Sequence, residues 1–591
     1  MTMRSILYLK RYIKRYWVSF AVGAAAVFIA NWFGLLIPKY LGTAIDYVKS
    51  AGALQKGLIR FAVIIVGFEV IQAVFTFFMR YIMFGAARNI EFDFRNDFFQ
   101  KLQTLHSGYF DKQKVGDLMA RATNDMESVR MLLGPGILFL INTIFIFPLA
   151  LYQMLNVNVS LTLYSIIPLL VIPPYVNIIG NQIHKRYMQV QDHFSTITAM
   201  VQENLAGIRV IKAFVQEKAQ LREFDGLNRE FIKRNLSLAK IEGWFFPGMR
   251  LMGGIGIMIL LWMGGYRVIK RQVSLGDLTA LIMIHMRLFW PMIAFGWIIS
   301  LHQRGAASLK RIREIINVVP EIRDTEETDH SITSIEGDIR IKNLTFTYPG
   351  EANKVLENIS VSIPPGKTLG IVGPIGSGKS SLIRLLVRLY NPPPGTVFID
   401  NIDVRKIPLS VLRHHTGYVF QEPFLFSDTI YNNIALDVKN AGKEMVEETA
   451  RKVQFHEEIL TFPKGYDTML GERGINLSGG QKQRVALARA LIKDPDILIL
   501  DDTLSAVDTE TEARILAILK KEMKKRTSIV ISHRLSSVKN ADEIIFLEEG
   551  QIVERGTHEE LLKQGGLYAA IYDKQRLEEE IEKEEGEPIR T

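Results

Sequence analysis

Cysteine is absent from all 591 residues. That excludes disulfides, thiolate metal centres and cysteine nucleophiles. An acidic balance is absent too: 71 Lys and Arg stand against 62 Asp and Glu, a net charge of +9. Such a balance suits nucleic acid, or basic loops beside an anionic membrane face. Polarity is the third shortage. Apolar residues make up 48% of the chain, and its mean hydropathy is positive, which is high for a soluble enzyme.

What is there begins with a basic, aromatic stretch. Residues 5–16 alternate aromatics with Lys10, Arg11, Lys14 and Arg15, as an interfacial amphipathic helix over 1–16 would. A signal peptide also starts with basic residues, but here the apolar run continues to about Ile37, long enough to span a bilayer. Six such runs lie near 17–38, 58–84, 134–155, 159–180, 244–266 and 277–302, and together they predict an all-α transmembrane domain over 17–315. The connections 86–133 and 181–243 are long, basic and poor in helix breakers. They read as helices extending into the cytoplasm, with external turns near 156–158 and 267–276, so both termini are expected to be cytoplasmic. A polar stretch, 316–336, reads as a linker. Strand and strand–loop–helix patterns over 337–573 predict an α/β domain, and 574–591 is a charged tail.

The chemistry is concentrated in that second half. "TLGIVGPIGSGKSSLIRLL" (368–386) reads as strand, glycine loop and helix. Its loop residues Gly373, Pro374, Ile375, Gly376, Ser377, Gly378, Lys379, Ser380 and Ser381 are candidate nucleotide contacts. The glycines let backbone N–H groups close around phosphates, Lys379 reaches the β- and γ-phosphates, and Ser380 can ligate Mg²⁺. In "NLSGGQKQRVALARAL" (476–491), Ser478, Gly479 and Gly480 open a helix that either caps a phosphate of a second molecule or is an ordinary glycine-rich N-cap. "ILILDDTLSAVD" (497–508) is an aliphatic run ending in two acids, as a buried strand of a P-loop ATPase would.

With these motifs in order, the chain resembles the ATP-binding cassette (ABC) transporters, and among them the bacterial exporter half-transporters, over about residues 5–573. The resemblance makes 373–380 the Walker A loop, "LSGGQ" (477–481, with Gln481) the signature, and 497–501 the Walker B strand. It implies Mg²⁺ on Ser380, Gln421 and Asp501, adenine stacked on Tyr348, and catalytic roles for Asp502, His533 and Gln421. Asp508 falls in "SAVD", the D-loop, and "GERG" (471–474) matches a segment that contacts the membrane domain. Plainer roles stand beside these: Tyr348 packing at a strand end, Gln421 a solvated amide, His533 a core histidine. "GYFDKQKVGDLMARATND" (108–125) and "ENLAGIRVIKAFVQE" (203–217) resemble the family's two intracellular coupling loops, the second of which contacts the other chain's cassette.

Six spans and one cassette make half a transporter, so a second half-transporter is implied. The family commonly has glutamate where this chain has Asp502, while the signature and His533 are intact. That combination resembles the degenerate-site subunit of a heterodimeric multidrug exporter, with a homodimer as the alternative. The expected function is ATP-driven export of amphipathic small molecules from the inner (cytoplasmic) membrane, with membrane lipid around the spans. Lipid or peptide export, or a mainly regulatory ATP-binding subunit, is the alternative. The missing cysteine excludes a cysteine-peptidase peptide exporter. Basic residues clustered beside the spans argue against nucleic acid. Polar residues within the spans, namely Glu69, Gln72, Arg250, His285 and Arg287, either line a cavity or hold helices together.

Overall fold

The computed structural model describes residues 4–50, 55–438, 440–503 and 509–585. The chain divides into two compact units, one of Met1–Gln103 with Lys114–Val318, the other of Thr104–Gln113 with Val319–Thr591.

The first unit is helical. Among the described residues, six helices are long and apolar enough to cross a membrane: Trp17–Lys49, Lys56–Thr104, Val115–Val157, Val159–Ala206, Glu217–Ile269 and Leu275–Ile316. At 42 to 53 residues, the last five exceed the roughly 20 residues a hydrocarbon core needs. Each therefore carries a polar extension, as the low density of breakers in 86–133 and 181–243 predicts. The fourth and fifth helices run together along these extensions, where His193 Nε2 meets the Leu227 carbonyl at 2.8 Å and Arg234 donates to the Gln189 carbonyl at 3.1 Å. The turn between the third and fourth helices is a single residue, Asn158, whose side chain accepts from Leu161 N and caps the fourth helix.

The N-terminal helix Arg4–Arg15 turns its apolar face to the protein. Leu9 and Tyr12 are buried, with the Tyr12 ring 5.5 Å from that of Phe94, and Arg15 pairs with Asp93 at 2.9 Å. Lower on the bundle, buried Asp125 accepts from Ser308 Oγ at 2.9 Å and from Arg311 Nε at 2.8 Å. Burial pushes the Asp125 carboxyl up, but the bonds from Arg311 and Ser308 outweigh it and hold it below the usual range.

In the second unit, no helix or strand forms between Ile316 and Ile339. Two sheets follow. β1 (Ile339–Phe346), β2 (Leu356–Ile363), β4 (Val397–Ile399) and β5 (Ile402–Asp403) pair antiparallel in the order β2-β1-β4-β5. β3 (Thr368–Val372), β6 (Thr416–Val419), β7 (Ile497–Asp501), β8 (Thr527–Ile531), β9 (Glu543–Glu548) and β10 (Gln551–Gly556) form the second sheet, ordered β10-β9-β3-β8-β7-β6. It is parallel except at β10. Every residue of β3, β7 and β8 is buried, as the aliphatic run at 497–500 predicts. Alternation divides them between two cores: Ile497 and Ile499 enter one, Leu498 and Leu500 the other. Burying each such side chain stabilises by about 1.5–3 kcal/mol.

The boundary expected at 573/574 falls inside the helix Leu567–Glu585, so the start of the charged tail continues a helix rooted in the core at Tyr568.

Candidate functional site

β3, β8 and β7 are neighbours and parallel, with Ile371 opposite Ile531 and Ile531 opposite Asp501. Three loops therefore leave the sheet side by side at the carboxyl ends of its strands, where open α/β sheets bind ligands. They carry Gly373–Ser381, Asp502 and His533.

The first loop needs glycine for steric reasons. Gly373 (φ +149°) would place a Cβ 2.0 Å from the Leu547 carbonyl oxygen, and Gly378 (φ +98°) one 2.8 Å from that of Val355. Gly376 is also left-handed, at φ +84°. The helix Lys379–Leu386 begins directly behind, so its free N–H groups face the loop. Ser377 is 3% exposed and its hydroxyl makes no hydrogen bond within the chain, which leaves it for a ligand. Pro374 lies in the loop and Ile375 is 91% exposed at its tip. Lys379 is buried and donates to the carbonyls of Gly373 and Pro374 at 2.8 and 2.7 Å. Burial pushes its ammonium down, while Asp501 and Asp502 pull it up.

Asp501 ends β7. Its carboxylate accepts from Ser380 Oγ and from the Tyr418 hydroxyl, each at 3.3 Å. Burial pushes Asp501 up, and those two bonds oppose it. Tyr418, on β6, is itself pushed up by burial and by Asp501. No motif pointed to Tyr418; an aromatic just ahead of "VFQEP" was the available signal. Asp502 is buried with φ +46°, a conformation that aspartate tolerates better than most residues, and its N–H donates to the Ile531 carbonyl at 2.9 Å. Asp508 lies outside the described residues.

Tyr348 is half-buried in an aromatic cluster, its ring 4.9 Å from that of Tyr390 in T-shaped contact, and its hydroxyl donates to Ser381 Oγ at 2.9 Å. Both the packing role and the loop-facing role are thus visible in one residue. Gln421 is exposed just beyond β6. His533 is half-buried just beyond β8, in a cavity of 330 Å³ that also touches Gly373, Pro374 and Ile375.

Ser478, Gly479, Gly480 and Gln481 form a separate station. Ser478 caps the helix Gly479–Leu491 in a full capping box with Gln481, whose amide also reaches Glu458 at 3.1 Å. The plain N-cap reading is thus present in the structure, with the helix N-terminus still open to an anion.

Within the membrane helices, the polar residues line grooves or bond between helices, and Gln72 does both. Glu69 and Gln72 line a 780 Å³ groove along one face of the second helix, with Phe77, Arg80, Tyr81 and Phe84. Arg250 lines another, of 600 Å³, with Phe246 and Met258. His285 is 1% exposed and reaches the Gly253 carbonyl at 3.3 Å, and Arg287 donates to Gln72 at 3.2 Å. The last two tie helices together; Glu69 and Arg250 face open grooves.

A family model for the ABC transporter transmembrane region matches residues 18–292, and one described as ABC transporter matches 356–505. Among curated proteins, the chain is 35% identical to the probable multidrug resistance ABC transporter ATP-binding/permease protein YheI of Bacillus subtilis (strain 168), over 96% of this chain and 97% of that one. It is 36% identical to the multidrug resistance-like ATP-binding protein MdlA of Escherichia coli (strain K12), over 98% and 97%. It is 34% identical to the ATP-dependent lipid A-core flippase of Syntrophus aciditrophicus (strain SB), over 86% and 84%.

Proposed function

The chain belongs to the ABC transporter family, and on that premise we propose that it is one half of a heterodimeric exporter of amphipathic small molecules whose own Walker site is slowed by Asp502. ATP binding, ATPase-coupled transport, dimerisation and a multi-pass membrane location follow from the family itself. The basic connections between spans favour a cytoplasmic cassette and cytoplasmic termini at the inner membrane.

In this reading, the 373–381 backbone and Lys379 hold the phosphates and Tyr348 the base, while Ser478, Gly479, Gly480 and Gln481 close over the other chain's nucleotide. The donor set fits Mg²⁺. Among the described residues there is no cluster of three or more His, Asp or Glu, and Ser380 lies 3.3 Å from the Asp501 carboxylate. One hydroxyl and one carboxylate, with the exposed Gln421 three residues beyond Tyr418, are the sparse hard-oxygen set this ion takes beside nucleotide phosphates. When bound, it would neutralise phosphate charge.

Asp502 carries the heterodimer reading. Its carboxylate stops about 1.5 Å short of a glutamate's. The 2.9 Å bond from its N–H to Ile531 holds the backbone, so the missing methylene is not recovered by sliding forward. A misplacement of about 1 Å can lower a rate on the order of 10²-fold. The intact signature then serves a complex that turns over mainly at the partner's site, while His533 stays at this chain's own. The test is ATPase activity of the complex purified with its natural partner. Asp502→Ala should leave most of the turnover, and removing the carboxylate after the partner's Walker B aspartate should abolish it. An active homodimer that depends on Asp502 would sink the idea.

For cargo, the support is the aromatic groove beside Glu69 and Arg80, together with the multidrug names of two relatives. The flippase relative favours a lipid as the second reading. Transport of an amphipathic dye against a fluorescent lipid in proteoliposomes separates them.

A further inference from the structure

The helix Leu567–Glu585 makes a contact that the functional reading above does not use. The helix is rooted in the core. Tyr568 is fully buried, its hydroxyl bonds His558 Nδ1 at 2.8 Å, and its N–H donates to Glu554 at 3.0 Å. Ile571 and Tyr572 pack on the same core, one turn on. The next turn presents Gln575 to the loop after β8. There its carboxamide makes two bonds: Nε2 donates to the His533 carbonyl at 2.6 Å, and Oε1 accepts from the Leu535 N–H at 3.0 Å.

Those two backbone groups flank the histidine's outgoing turn. Leu535 opens a helix of only four residues, so its N–H has no partner within that helix. A primary amide is the side chain that can donate and accept at once in this spacing. On its inner side the loop is fixed again, where Arg534 N donates to Ser532 Oγ at 3.0 Å. The cavity beside Gly373 and Pro374 is lined by His533, Lys574 and Gln575 as well. The C-terminal helix therefore borders the nucleotide loop's own cavity.

We propose that Gln575 is a positioning residue for ATP hydrolysis: its carboxamide brackets the backbone of 533–535 and so sets where the His533 imidazole stands relative to the 373–381 loop. This rests on His533 acting at this chain's own Walker site. Among the described residues, both hydrogen bonds of the Gln575 carboxamide go to the backbone of that turn, so its loss alters turnover rather than nucleotide capture.

The test uses the full-length complex with its natural partner, in an Asp502→Glu background in which the carboxylate after the partner's Walker B aspartate is removed, so that ATPase assays read this chain's site alone. Gln575→Ala should lower kcat about tenfold, less than the roughly 10²-fold of a misplacement of about 1 Å, with KM for ATP unchanged within about twofold. Gln575→Glu keeps the shape and the acceptor but sets a carboxylate against the His533 carbonyl, so it should not rescue. In a His533→Ala background, Gln575→Ala should add nothing. An unchanged kcat in Gln575→Ala, or a loss that multiplies with that of His533→Ala, overturns the bracket. A His533→Ala variant that keeps full activity in the Asp502→Glu background overturns the switch-histidine reading and the bracket with it. Equal thermal midpoints of the variants, measured alongside, tie a loss of kcat to placement, and a midpoint that falls with kcat overturns the proposal in favour of a folding role.

Discussion

Two short loop helices, Ser107–Asp111 and Ile208–Ala213, each lie in a stretch that resembles one of the family's intracellular loops, and they differ in what covers them. The first belongs to the compact unit of the α/β half. Gly108 is buried against the Tyr390 ring, the Tyr390 hydroxyl donates to Asp111, and Lys112 Nζ donates to the Pro349 carbonyl at 2.8 Å. The second has no buried residue. Val210, Phe214 and Val215 are 60%, 71% and 79% exposed, and Val215 stands at φ +52°, a costly place for a β-branched side chain. If this loop docks on a partner, these exposed apolar side chains are what it would bury. The contrast teaches that two short loop helices of one chain can differ sharply in cover, one held by polar bonds and burial within its own unit, the other carrying exposed apolar residues next to a left-handed turn at Val215.

The strongest way to break the comparison is to charge the exposed loop. Phe214→Asp, or Ala213→Glu beside it, should lower transport at least tenfold while basal ATPase activity stays within about twofold. Withholding one phenyl ring from an interface costs about 1.5–3 kcal/mol, and 1.4 kcal/mol is a factor of ten. Equal loss of both activities in proteoliposomes would make the loop a mere connector. A smaller effect is expected at the covered loop from Gly108→Leu. A Cβ there would lie 2.8 Å from Tyr390 Cε1, and overpacking costs roughly 1–3 kcal/mol, part of which the ring relieves by turning. Transport should fall several-fold, and Tyr390→Ala should restore some of it; no rescue means that the ring is not the obstacle. The mildest is Tyr390→Phe, which removes one exposed bond to Asp111. A change of about 1 kcal/mol or less is expected, seen as a transport loss of no more than fivefold. A larger loss would show that this single bond carries the docking.

How legible each feature was follows from its range along the chain. The left-handed glycines of 373–378, the capping box at Ser478 and Gln481, and the buried strand at 497–501 depend on neighbours within a few residues, and all three elements stand where the sequence puts them. Tyr418 on Asp501 and Gln575 on His533 join positions 83 and 42 residues apart, and no local pattern announces them. The intramembrane polar residues show the same limit. Glu69, Arg250, His285 and Arg287 are alike as polar residues in apolar runs, and helix packing alone divides them between groove and interhelical contact.

The amino-acid sequence by itself determined the six apolar spans, the nucleotide loop and the two acids at the end of β7. Hydrophobic length, glycine's freedom at positive φ and strand burial are properties of short segments. Tertiary structure alone decided that β3, β8 and β7 lie side by side, so that Lys379, Asp501 and His533 share one edge. It alone decided that Gln575 reaches the His533 turn, and that one loop helix is covered while the other stays open. Those outcomes depend on which distant surfaces meet, and contact energies of about 1 kcal/mol each choose among arrangements that the local chain equally permits.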